Sequence, residues 1–429
     1  MAHNIVRPGY RQFARRLNRF PQGAPPSELL YKILSMLFNE REARLVARLP
    51  LKPFSVERAK TIWKKSLRET KQLLDGFAER ALLLDMDYNG RTFYVLPPPM
   101  AGFFEFSLMR IRKDINQKIL SELLFQYLNK EEDFIKHLFT AGETQLGRVF
   151  VQEEVLSEKN RLEVLDYELA THVIKTASHI GIGVCYCRHK MMHVGRGCDA
   201  PMEDICMTFN TAAAALVRND FARRAGAAEC LEILDRAREA NLVQFGENVK
   251  NRVNFICNCC GCCCEALIAV RRFGLSQPVH TTNFLPSVSG RHCTGCGKCV
   301  DTCPVDALSL VPAGGSDEPG RKKAVVDHTV CLGCGVCARA CPVMCISLQS
   351  RRKRVVTPLD TNHRIVLMAI ERGKLQNLIF DDQLLWSHRA LAAVFGIIFR
   401  LPPLKQAMAS RQLQSLWLDG MIERMSKFR

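Results

Sequence analysis

The stretch Cys293-Thr-Gly-Cys296-Gly-Lys-Cys299-Val-Asp-Thr-Cys303-Pro304 recurs as Cys331-Leu-Gly-Cys334-Gly-Val-Cys337-Ala-Arg-Ala-Cys341-Pro342. Both copies read C-x2-C-x2-C-x3-C-P. Three cysteines two residues apart wind around one corner of a compact centre and offer it three thiolates. The fourth, on a short helix beside proline, points the other way. Gly295, Gly297, Gly333 and Gly335 let the backbone come close and aim its N–H groups at the centre. Between the copies, residues 307–311 and 323–327 alternate like short strands, and the loop over 312–321 is rich in glycine, proline and charge.

Residues 288–350 thus resemble a bacterial two-[4Fe–4S] ferredoxin domain, in which each run holds one cubane and lends its last cysteine to the other. The resemblance implies a (βαβ)2 ferredoxin-like fold. It implies one cluster on Cys293, Cys296, Cys299 and Cys341, and a second on Cys331, Cys334, Cys337 and Cys303. Zinc knuckles also use C-x2-C, but they call for neither the third cysteine nor the fourth before proline, repeated in tandem. Cys345 stands where the first copy has Ala307 and reads as a small buried hydrophobe.

With 429 residues and 47% apolar content, the chain has room for two or three domains. Twenty cysteines are many, yet residues 1–20 are basic and lack the apolar core of a secretory leader. Cubane ligands must stay reduced, so a cytoplasmic address is expected. The longest clean apolar run, 390–399, is too short to cross a bilayer. The net charge of +17 is concentrated at the ends: residues 1–69 hold fifteen Lys/Arg against five Glu, and residues 351–429 hold fourteen against six acids. Acidic partners could be a redox protein, anionic lipid or nucleic acid.

The expected architecture is α+β and multidomain. It comprises a basic arm and winged-helix-like domain (1–100), a helical linker region (101–180) and a mainly helical Cys-rich domain (181–275). The dicluster domain (288–350) and a basic amphipathic helical tail (351–429) complete it. In the first, Ser27 caps a helix over 28–49, Ser55 caps the next, and a further helix runs on past Trp63 to Leu82. A hairpin then turns on Asn89-Gly90. Helices followed by a two-stranded wing resemble a winged helix-turn-helix domain, with Arg68, Lys71 and Gln72 on the helix that would enter a DNA groove. Beside ferredoxin clusters, docking of a redox protein is the preferred use and nucleic acid the second.

The middle holds Cys185, Cys187, Cys198 and Cys206 within 22 residues, enough for a third iron–sulfur cluster, with Arg188, Lys190 and Arg196 to balance its charge. Zinc is the rival, since His189 and His193 offer nitrogen ligands. Further on, Cys257, Cys259, Cys260, Cys262, Cys263 and Cys264 place six thiols in eight residues. Neighbours in an extended run point to opposite sides, so one cubane cannot take all six. They either supply ligands to the upstream cluster or hold a fourth centre. Cys259-Cys260-Gly261 is similar to the Cys-Cys-Gly element of heterodisulfide-reductase-type proteins, but it stands alone, so that activity is not carried over. Residues 25–350 as a whole resemble a group of bacterial and archaeal 4Fe–4S-binding proteins.

In the tail, helices are expected over 362–372, 384–399 and 406–428. They either fold back on the dicluster domain or make a peripheral membrane contact. The function expected is an iron–sulfur electron carrier working with a partner oxidoreductase. The alternatives are a redox-sensing DNA-binding regulator, and a reductase with a substrate-binding cluster in the middle. Neither a nucleotide-binding glycine pattern nor a nucleophile–base set is visible.

Overall fold

The structure, a computed structural model, describes residues 7–274, 278–313, 321–352, 354–382 and 385–398. Most of the 312–321 loop and the helix expected over 406–428 lie outside the described residues.

The amino-terminal unit breaks its long expected helices where polar residues restart them. The run over 28–49 is two helices, Glu28–Leu37 and Glu40–Val46. Asn39 starts the second, its side chain accepting from the Glu42 N–H while the Glu42 carboxylate accepts from the Asn39 N–H. Val56–Trp63 likewise stops at Lys64 (φ 55°), and Ser66 caps a new helix, Leu67–Ala78. Strands Leu84–Tyr88 and Arg91–Val95 turn on Asn89 (φ 51°) and Gly90 (φ 72°). Phe54–Ser55 pairs with Arg91–Val95 as a third strand. Phe13 meets Phe38 edge-on at 4.9 Å, and Phe103 stacks on Phe13. Phe104 carries the same buried cluster on to Tyr127 and Phe134.

The middle is not mainly helical. It is built on a six-stranded antiparallel sheet in the order Gly147–Val149, Val243–Glu247, Phe255–Cys259, Cys206–Phe209, Ile180–Gly183 and Arg223–Arg224. Its strands are two to five residues long and rich in glycine and cysteine. They lack the β-branched alternation by which a strand is read. Helices Ala170–Thr176 and Ala227–Glu239 cover one face, burying Ile174, Ile233 and Leu234 against Ile182, Met207 and Ile256.

In the dicluster stretch Phe284–Val288 pairs with Ile346–Ser350, and Leu308–Pro312 with Lys322–Val326. Short helices Lys298–Asp301 and Val336–Arg339 carry the third cysteine of each run. Backbone bonds from Gln152 to Cys334 and from Thr282 to Leu332, both 2.9 Å, fix this stretch to the middle. In the tail, Thr361–Glu371 and Leu375–Ile379 pack with Leu51 and Phe20. Arg364 reaches Glu247 of the sheet at 3.0 Å, and the Asp381 carboxylate accepts from the Leu51 and Lys52 N–H groups. These helices therefore lie on the amino-terminal unit and the sheet, where their charge pairs are. Among the described residues no helix is long and apolar enough to cross a membrane.

Candidate metal centres

Cys293, Cys296 and Cys299 line one small cavity together with Cys341 from the other run. The antiparallel pairing of Phe284–Val288 with Ile346–Ser350 brings the two runs side by side. Cys299 lies within electrostatic reach of Cys293, Cys296 and Cys341. In the same way, the charge of Cys303 acts on Cys331, Cys334 and Cys337. Cys337 also feels Cys299, so the two quartets adjoin.

The backbone suits a sulfur-rich core. Gly295, Gly297, Gly333 and Gly335 all have positive φ, between 70° and 91°. The Ala307 N–H donates to Cys303 Sγ at 3.2 Å and the Ala324 N–H to Cys293 Sγ at 3.4 Å. Burial pushes the Cys331 thiol up to about 11 and Cys334 up to about 12. A cationic metal core is what such buried thiols need in order to ionise, so the residues present fit a cluster in each quartet. Cys345 is more than filler. It lines the first cavity and lies 3.5 Å from Cys341 Sγ.

Of the eleven middle cysteines Cys230 packs on Met207 in the core, and the other ten divide differently from their order in the chain. Cys185, Cys187 and Cys206 join Cys257, Cys259 and Cys264, while Cys198 joins Cys260, Cys262 and Cys263. Strand pairing does the sorting. Met207 opposes Ile256, so one step along Cys206 falls beside Cys257. Alternation then puts Cys257 and Cys259 on one face and Cys260 on the other.

In the six-thiol group, contacts run Cys185–Cys187–Cys264–Cys259–Cys257–Cys206. Proton sharing along this chain holds Cys185, Cys257 and Cys264 low and Cys187, Cys206 and Cys259 high. Cys185 and Cys264 stand at the caps of helices Tyr186–His193 and Glu265–Phe273, and the backbone of Arg188, and of Leu267 and Ala266, favours the thiolate at each. Two helix amino termini thus favour thiolate at one place. Burial alone would lower the pKa of Arg188, but Cys185, Cys260 and Cys259 outweigh it and raise the group. Glu105 also belongs here: burial first, then the charge of Cys257, pushes its carboxyl up to about 8. Nothing in the sequence singled it out, because the short helix Phe104–Phe106 reaches the site only through tertiary packing.

Lys190 also feels the charge of Cys187, Cys263 and Cys264, while its hydrogen bonds go to other partners. Lys190 is buried against Glu265 and Asn129, and Arg196 lies 5.1 Å from the Phe125 ring. His189 and His193 face each other, Nε2 to Nε2, at 3.2 Å, and His189 Nδ1 bonds the Leu108 carbonyl at 2.7 Å. The quartet around Cys198 is all sulfur.

A family model described as a 4Fe-4S dicluster domain matches residues 292–345. No curated protein and no solved structure matches the chain.

Proposed function

We propose that this protein relays single electrons through two [4Fe–4S] clusters, to or from a partner oxidoreductase, with a third iron–sulfur centre at the six-thiol group. The observation that carries the reading is the exchange of fourth cysteines: Cys341 lines the cavity of Cys293, Cys296 and Cys299, while Cys303 lies with the other run. Clusters held there would supply one-electron transfer, at potentials within roughly −700 to +450 mV. The chain's residues supply thiolates, N–H···S bonds and burial, the means by which a protein sets such potentials.

Exposure supports an order for the relay. Cys296 is exposed, with exposed Arg291, Lys298 and Lys322 nearby in the chain or across the loop, while the loop around Cys331 and Cys334 is largely buried. A partner with an acidic face would meet the first cluster. The second quartet adjoins the middle, where a Cβ on Gly261 would overlap the Pro304 carbonyl and Arg271 pairs with Asp306. Electrons would pass from surface to first cluster, second cluster and six-thiol group, or the reverse. The amino-terminal unit serves, on this reading, as a winged-helix docking module.

Iron quantitation and paramagnetic resonance on anaerobically purified protein test the proposal. About eight irons per chain are expected for the pair and about twelve with the third centre. Colourless protein, silent after dithionite reduction, would refute it. A second reading, a redox-sensing regulator, is favoured by Arg68, Lys71 and Gln72, all exposed on Leu67–Ala78. A salt-dependent shift assay decides it, and equal binding to all DNA sequences at physiological salt removes it.

A further inference from the structure

The quartet left over in the middle has a geometry of its own. Cys198 Sγ lies 3.7 Å from Cys260 Sγ and 3.6 Å from Cys263 Sγ, and Cys262 Sγ lies 3.7 Å from Cys263 Sγ. All four sulfurs fall within 4.8 Å of one another. Tetrahedral thiolate zinc, with bonds of about 2.3 Å, holds its sulfurs about 3.8 Å apart. A cubane places each thiolate on a different iron and so spreads the set more widely. A disulfide would need about 2 Å between sulfurs. We propose that Cys198, Cys260, Cys262 and Cys263 form a closed, structural site for a single zinc ion.

The local chain supports this. Cys260 and Cys263 are spaced C-x2-C on the turn after Phe255–Cys259, as in a zinc knuckle, and the Cys264 N–H closes that turn on the Cys260 carbonyl at 3.3 Å. Cys198 comes from the irregular chain between Tyr186–His193 and Cys206–Phe209. Phe125, Met191, Val194 and Ile268 surround the sulfurs with apolar surface. Four thiolates fill the coordination sphere and leave no place for substrate, which marks a structural rather than a catalytic ion. Zinc outranks ferrous iron for such a divalent site. Binding releases the thiol protons and carries no electron, so the ion stands outside the relay.

What it does is mechanical. It pins the chain that leads into Cys206, one of the six-thiol ligands, to the turn that joins Cys259 to Cys264. The inference holds whether or not iron fills that neighbouring group.

The test is zinc analysis and zinc-edge X-ray absorption on the full chain, purified without oxygen. About one zinc per chain is expected, with a shell of four sulfurs at about 2.3 Å. The double variant Cys198→Ser, Cys263→Ser should lose the zinc and keep all its iron. Should that variant fail to fold, the milder Cys262→Ser, at the exposed member, should change the shell to three sulfurs or lose the metal. The proposal is overturned if the wild-type chain holds no zinc, if nitrogen or oxygen enters its zinc shell, or if zinc survives the double substitution. It also falls if the double substitution removes about four irons instead.

Discussion

A single methyl group added at Gly333 would close the second cluster's loop. Its φ is +70°, and a Cβ there would overlap the Phe284 carbonyl, at the start of the strand beside it, and the Thr282 hydroxyl, which bonds the Gly333 carbonyl at 2.7 Å. Gly333→Ala should therefore cost about four irons per chain. Gly290→Ala, whose nearest neighbour would be a Lys323 side-chain carbon at 3.5 Å, should cost none. Cys345 poses a different question. Its thiol lies against Cys341 and acts on Cys293, so with both held as thiolates in the proposed first cluster it would be the donor to them. Cys345→Ala should keep both clusters and lower the first one's potential, since a donor to sulfur favours the more negative, reduced state. An unchanged potential in a titration followed by paramagnetic resonance would sink that idea, and a loss of four irons would make Cys345 a ligand. The eight dicluster cysteines were legible in the sequence because their spacing is covalent. Cys345 was not, since its partners come from packing. Nor was the division of the middle cysteines, which depends on which residue of one strand faces which residue of the next.

Elements tell the same story over longer distances. The caps at Ser27 and Ser55 and the Asn89-Gly90 turn could be read directly, because a side chain bonding three residues on is a local device, whereas the stretch restarted at Ser66 reads as one continuous helix. The six-stranded sheet could not, since its strands are stabilised by neighbours up to a hundred residues away in the chain, such as Gly147–Val149 beside Val243–Glu247. Gly76 lies inside Leu67–Ala78 with nothing within 4 Å of an added Cβ. Gly76→Ala should strengthen that helix by about 0.5–1 kcal/mol, seen as slower hydrogen exchange along it. The helices whose caps are Cys185 and Cys264 are joined by the buried Lys190–Glu265 pair, with Asn129 bonding both. Lys190→Met would leave a carboxylate buried without its cation, at a cost of about 3–5 kcal/mol. Adding Glu265→Leu should recover most of the loss in urea denaturation, because the stranded charge is then gone. If the double variant is no better than the single, the pair does not hold these helices together by charge.

At the scale of the whole molecule, the seams between its parts carry histidines kept neutral. On the helix Asp133–Thr140, His137 is pushed down to about 4 by burial first, then by Arg372 and Lys374 of the tail. His280, which bridges to Arg148 of the sheet just before the dicluster stretch, is also pushed down to about 4, by burial and then by Arg148. Unfolded histidine titrates near 6.5. Above that both states are neutral and these groups have no effect on stability. Between about 6.5 and 4 the unfolded chain binds protons that the folded chain refuses, so stability falls as pH falls. The full effect is about 1.4 kcal/mol per histidine per pH unit, and partial exposure of both rings makes it smaller. Acid should therefore first loosen the tail from the helix Asp133–Thr140 and the dicluster stretch from the sheet. Hydrogen exchange measured between about pH 7.5 and 5.5 should show faster opening around residues 133–140, 278–284 and 361–372 at the lower pH. His137→Gln should flatten the dependence at the tail and His280→Gln at the dicluster seam, each leaving the other in place. Equal slopes in all three proteins would mean that neither ring is what makes these seams sensitive to acid.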